Sequence, residues 1–113
     1  MMSASDPVIR EIADAQTLED ALGRSRAVLL KHSTTCSIST VALDELMRFA
    51  GTHPDWEIYV LKVLEARELS DTLSQRLGVR HESPQVFVVK DGCSVWHASH
   101  FDITARKLTE HAD

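Results

Sequence analysis

Residues 32–39 read His-Ser-Thr-Thr-Cys-Ser-Ile-Ser and place one cysteine, Cys36, among hydroxyl side chains. An apolar run precedes this stretch, and residues at helical spacing follow it. A cysteine at the start of a helix faces unpaired backbone N–H groups and the positive end of the helix dipole. Both favour an anionic sulfur, which is the nucleophile in thiol–disulfide exchange. Thr34, Thr35, Ser37 and Ser39 can add hydrogen bonds to that anion. The polar neighbours on both sides argue against an inert core cysteine.

A second feature lies at Ser83-Pro84, where a proline opens an apolar run. Proline cannot donate to a sheet ladder, so it belongs at the first residue or the edge of a strand. A cis Ser83–Pro84 bond would turn the chain sharply and present the Ser83 backbone to a ligand. Cys93 is the other cysteine of the chain. No Cys-x-x-Cys or His-x-x-x-His pair at metal-ligand spacing is present. His32 and His81 are read as flanking the site, and Trp56 and Trp96 as strand packing.

The elements that position these residues follow from periodicity. Val8 to Ile12 is a short candidate edge strand. Thr17 can cap a helix, with Asp20 three residues on, an apolar face at Leu18, Ala21 and Leu22, and Gly23 near its end. Arg26 to Lys31 is a continuous apolar run that suits a strand covered on both faces. Ile38, Ala42, Leu46 and Phe49 share one helix face, with Gly51 as a stop. Trp56 to Val63 is rich in β-formers. Leu69, Leu73 and Leu77 line another helix, ended by Gly78. Pro84 to Lys90 and Cys93 to Ala98 flank Asp91-Gly92, a tight-turn signal, and so form a hairpin. A last helix is predicted to begin near Asp102.

The order β-α-β-α-β-α-β-β-α implies an α/β fold. Parallel crossovers join the first three strands, an antiparallel hairpin follows, and helices flank a mixed sheet. In such sheets, sites lie beyond the carboxyl ends of the strands, where Cys36 falls. The 113 residues suit a single domain over 1–113, with residues 1–7 expected to be flexible.

Topology then sorts the remaining candidates. The strand after Pro84 runs away from the site, so its turn lies roughly 20 Å from Cys36. A disulfide needs Cα atoms within about 7 Å, so Cys93 is not expected to pair with Cys36. The returning strand brings Ser99, His100 and the Asp102 helix start back to the site end. A helix N-terminus there can hold a carboxylate.

The net charge of −5 and the lack of a basic cluster argue against nucleic acid. No apolar run approaches the roughly 20 residues of a membrane span. The first residues show no charged segment followed by an apolar one, so no signal peptide is predicted. Two distant cysteines suit a reduced, cytoplasmic chain.

The stretches Thr-Thr-Cys-Ser-Ile-Ser (34–39), Arg80 to Gly92 and Trp96 to Thr104 resemble, in order, the monothiol bacilliredoxin family of the thioredoxin-like, glutaredoxin-like superfamily. The likeness spans about Leu18 to Leu108. Ser37 stands where the family motif Thr-Cys-Pro-Ile-Ser has proline. The resemblance implies a thioredoxin-like fold and a monothiol oxidoreductase that reduces mixed disulfides between proteins and bacillithiol. Cys36 would be the nucleophile. Thr35, Ser37, Ser39, Ser83, Pro84, Ser99, His100 and Asp102 would bind substrate, with the thiol's carboxylate near His100 and Asp102. The implied partners are bacillithiolated proteins and a low-molecular-weight thiol. Bacillithiol acts as co-substrate, and no bound cofactor or metal is expected. A non-catalytic binding module and an iron–sulfur carrier are the alternatives, the latter lacking the usual Gly-Phe after the cysteine.

Overall fold

The computed structural model describes residues 8–112, so the lead-in at residues 1–7 lies outside the described residues. The elements are β1 (Ile9–Glu11), α1 (Ala15–Leu22), β2 (Arg26–His32), α2 (Ser37–Thr52), β3 (Glu57–Lys62), α3 (Arg67–Leu77), β4 (Gln85–Lys90), β5 (Cys93–Ser99) and α4 (Ala105–Ala112). A turn of 3-10 helix at His100–Asp102 precedes α4. The sheet order is β1-β3-β2-β4-β5. β1 and β2 run parallel to β3, whereas β4 is antiparallel to both β2 and β5. β1 is an edge strand, as its brevity suggested.

β2 sits at the centre, and its alternation divides the core. Val28 and Leu30 pack with Ala42, Leu46 and Phe49 of α2 and with Leu108 of α4. Ala27 and Leu29 pack on the other face with Leu18 and Leu22 of α1 and Leu73 of α3. Side chains alternate faces along a strand. Lys31 therefore continues the α3 side, and His32 continues the α2 side. Both are buried, with Lys31 fully enclosed.

Several boundaries differ from the sequence reading. Asp14, not Thr17, caps α1, because its Oδ1 accepts the Thr17 N–H at 2.8 Å. Thr17 is thus inside the first turn. α2 runs past Gly51 to Thr52 and closes at His53. Trp56 and Val63 lie just outside β3 yet remain buried in the two cores. The last helix starts at Ala105, because the 3-10 turn occupies His100–Asp102 and Thr104 Oγ1 accepts the Lys107 N–H at 3.2 Å. Asp102 is therefore not its cap. The expected hairpin is present: Asp91 (φ 52°) and Gly92 (φ 82°) give the two left-handed positions of a tight turn.

Candidate functional site

The loop between β2 and α2 places Cys36 as the residue before the first turn of α2, with extended backbone (φ −114°, ψ 123°). The first helical bond runs from the Thr40 N–H to the Cys36 carbonyl at 3.3 Å. The N–H groups of Ser37, Ile38 and Ser39 therefore have no partner within the helix and are offered to the sulfur's surroundings. Cys36 is half-buried and unpaired in a disulfide, and Ser37 beside it is exposed. Thr35 is exposed, with its Oγ1 3.2 Å from Ser33 Oγ. Thr34 faces a separate, mainly apolar hollow with His32, Leu43 and Met47.

Ser39 does something other than the substrate contact expected of it. It is fully buried. Its hydroxyl donates to His32 Nδ1 at 2.8 Å and accepts the Ser33 N–H at 2.9 Å. Ser39 lies three, seven and ten residues before Ala42, Leu46 and Phe49, so it shares their inward stripe on α2. From there it braces the loop that carries Cys36. Burial pushes the His32 pKa below its ordinary value, which suits a neutral ring accepting at Nδ1. Ser39→Ala would leave both the Ser33 N–H and His32 Nδ1 without their partner. An isosteric loss of this kind is expected to cost about 1–3 kcal/mol. Urea unfolding measures it, and an unchanged midpoint would remove Ser39 from this structural role.

The Ser83–Pro84 bond is cis. Pro84 is buried, and Ser83 lines a hollow of about 500 Å³ together with Cys36, Ser33 and His81. Ser83 Oγ is enclosed and has no hydrogen-bond partner among the described residues. The two features singled out by sequence, Cys36 and Ser83-Pro84, thus meet at one place. Cys93 pairs in register with Lys90, and Lys90 with Arg26 at the opposite end of β2. Seven residues of strand separate that end from the Cys36 loop. Cys93 is exposed there, far from Cys36.

The expected carboxylate site at the last helix looks different. The His100 N–H donates to the Pro84 carbonyl at 3.1 Å, and His100 Nδ1 lies 3.9 Å from Glu82 Oε2, so His100 does reach the rim. Ser99 and Asp102, however, line another hollow, with Trp96, Lys107 and His111. Asp102 pairs with Lys107 Nζ at 3.3 Å. The Ala105 N–H already donates to Glu45 Oε1 of α2 at 2.9 Å. A helix start that would receive a ligand's carboxylate is thus engaged by one of the protein's own.

Three charged or titratable residues also line the Cys36 hollow: Arg67 and Asp71 on α3, which the sequence reading passed over, and His81, which it placed beside the site. Behind His81 lies Lys31, whose Nζ donates to His81 Nδ1 at 2.9 Å and to Ser74 Oγ at 2.5 Å. Burial pushes the Lys31 pKa down to about 8, against a smaller upward pull from Asp71. Desolvation, and then Lys31, push His81 below its ordinary value. The parity of Lys31 with Ala27 and Leu29 was the sequence signal for this enclosed cation.

Comparison with known proteins agrees with this geometry. Residues 8–108 match the family model described as monothiol bacilliredoxin BrxC. A solved structure described as a candidate oxidoreductase with a thioredoxin fold is 33% identical, covers 94% of this chain and 95% of its own, and superposes with a TM-score of 0.88. Thioredoxin from Trypanosoma brucei brucei is 11% identical over 98% of this chain and 93% of its own, with a TM-score of 0.79. Mitochondrial thioredoxin 3 from Saccharomyces cerevisiae is 14% identical over 97% of each chain, with a TM-score of 0.75. The two thioredoxins speak to the fold alone.

Proposed function

Because the chain belongs to the monothiol bacilliredoxin family, we propose that it reduces mixed disulfides between proteins and bacillithiol, with Cys36 as the nucleophile. Membership and the thioredoxin fold make it an oxidoreductase-like redox protein. The observation that carries the finer reading is the setting of Cys36, before the first turn of α2 and in one hollow with Ser83 of the cis Ser83-Pro84 pair.

The thiolate of Cys36 attacks the bacillithiol sulfur of the mixed disulfide. The new S–S bond forms as the old one breaks, and the client leaves as a thiolate that takes a proton from water. The client cysteine is reduced, and Cys36 is now joined to bacillithiol. A second bacillithiol thiolate attacks that sulfur, forms bacillithiol disulfide and returns Cys36 as the thiolate. The second thiol comes from solution. Ser39, three residues after Cys36, is a buried hydroxyl held by His32 and Ser33 and cannot attack a disulfide. Cys93 lies at the other end of the strands. The exchange moves electrons only among sulfur atoms, and the reading places it in a reducing, cytoplasmic setting. No helix among the described residues is long and apolar enough to cross a membrane.

The test is turnover. A model protein carrying bacillithiol on one cysteine is incubated with bacillithiol, with and without catalytic amounts of this chain, and client release is followed by intact mass. Acceleration with multiple turnovers is the expected result. A stoichiometric complex with no turnover would instead make the protein a holder of such clients.

A further inference from the structure

We propose that the hollow between α3 and Cys36 binds the low-molecular-weight thiol itself, with Arg67 and His81 holding its carboxylate and Asp71 its amine. The inference rests on the oxidoreductase reading above and adds the recognition site to it.

The hollow has the size of a small-ligand site, about 500 Å³. Among the described residues, neither Arg67 nor Asp71 has an ion-pair partner within 4 Å. Most other arginines are engaged: Arg10 pairs with Glu57, Arg26 with Asp55, Arg48 with Glu45 and Arg76 with Glu19. Arg67 and Asp71 are four residues apart on α3, so they stand one turn apart on the same face. Together they present a cation and an anion side by side, which matches a ligand carrying both charges.

His81 adds a directed donor. Its Nδ1 accepts from the buried Lys31 Nζ, so the ring proton sits on Nε2. Ser83 also lines the hollow, with its Oγ enclosed beneath the surface. Leu64, half exposed, supplies apolar surface beside them. A bacillithiol seated here has a malate carboxylate on Arg67 and its cysteine amine on Asp71. Its sulfur is then within the hollow that Cys36 lines. At the start of the last helix, by contrast, Glu45 of α2 already takes the Ala105 N–H.

The experiment compares two disulfides on the purified chain. One is bacillithiol disulfide, which carries carboxylates and amines, and the other is hydroxyethyl disulfide, which carries neither. Each second-order rate of Cys36 modification is read by intact mass, and the quantity of interest is their ratio. Arg67→Glu is expected to lower the ratio about tenfold or more, by placing repulsion where the carboxylate sits. Asp71→Asn is expected to lower it about threefold, and Arg67→Lys to retain most of it. If the ratio is unchanged in Arg67→Glu, the hollow does not recognise the thiol. The same series with glutathione disulfide separates this inference from the reading beneath it. A wild-type chain that favours glutathione disulfide over bacillithiol disulfide, with that preference lost in Arg67→Glu, keeps the site and overturns the bacillithiol assignment.

Discussion

Cys36→Ser is expected to remove client turnover, by about a thousandfold or more, because the attacking sulfur is the one group that no neighbour can replace. Ser39 is enclosed beneath the loop with both hydrogen-bonding capacities spent. His81 has its Nδ1 turned to Lys31. Neither can act in place of the thiolate. Cys93→Ser, at the hairpin turn on the far end of the sheet, is expected to keep the rate within about twofold. Both variants are read in the same bacillithiolated-client assay. If the Cys36 variant retained turnover while the Cys93 variant lost it, Cys93 and not Cys36 would be the nucleophile.

Lys31→Met is expected to make the protein more stable at neutral pH. Lys31 is completely enclosed, and its pKa is pushed down to about 8 from the usual 10.5. That gap corresponds to about 3 kcal/mol charged against the folded state whenever the ammonium keeps its proton. Methionine fills nearly the same volume without the charge. It forfeits the bonds to Ser74 and His81 and the ammonium's position 5.9 Å above the Phe87 ring. After those losses, each on the order of 1 kcal/mol, the expected net gain at pH 7 is about 1–2 kcal/mol. The pH dependence has a definite sign. Below pH 8 both folded and unfolded chains hold the proton, and the full cost is present. Between about 8 and 10.5 the unfolded chain binds a proton that the folded chain does not, so the wild type gains stability as pH rises. The advantage of Lys31→Met therefore shrinks across that window. Urea unfolding of both proteins at pH 7 and pH 10 measures it. A methionine variant that is weaker at pH 7, or that tracks the wild type at both pH values, would contradict the account. In return for that cost, Lys31 fixes the His81 ring beside the Cys36 hollow through its bond to Nδ1.

The parts of the site that sequence revealed are those written in short segments. The polar run after an apolar stretch located Cys36, and the Ser-Pro pair located the turn opposite it. Asp91-Gly92 fixed the hairpin, and with it the remoteness of Cys93. The chain order alone was enough for the mixed sheet with helices on both faces. What escaped depends on meetings between distant segments. Arg67 and Asp71 line the Cys36 hollow only through the packing of α3 against the sheet, and no local pattern marks a solvated arginine for such a place. Asp102 and Thr104 are both good capping types two residues apart. The choice between them is made by the 3-10 turn at His100–Asp102 and by Glu45, sixty residues away. Ser39 and Lys31 were different: their inward phase on α2 and β2 was present in the periodicity, masked by their polar character.

The strand order has a consequence for the life of the chain before it is complete. β2 is flanked by β3 and β4, and its register with β4 runs from Arg26↔Lys90 to Lys31↔Gln85. A nascent chain that has emerged as far as α3 holds β2 with one edge paired and the other open. In that interval the Cys36 loop has no Ser83 beside it, and β2 lacks the Val86, Phe87, Val88 and Val89 side chains that flank its own. An open strand edge of this kind is a template for pairing with other chains. The order of synthesis therefore delays the cysteine's working surroundings until Gln85 to Lys90 slot in beside β2, and until then the unfinished chain is exposed to misassembly at its centre rather than at its rim.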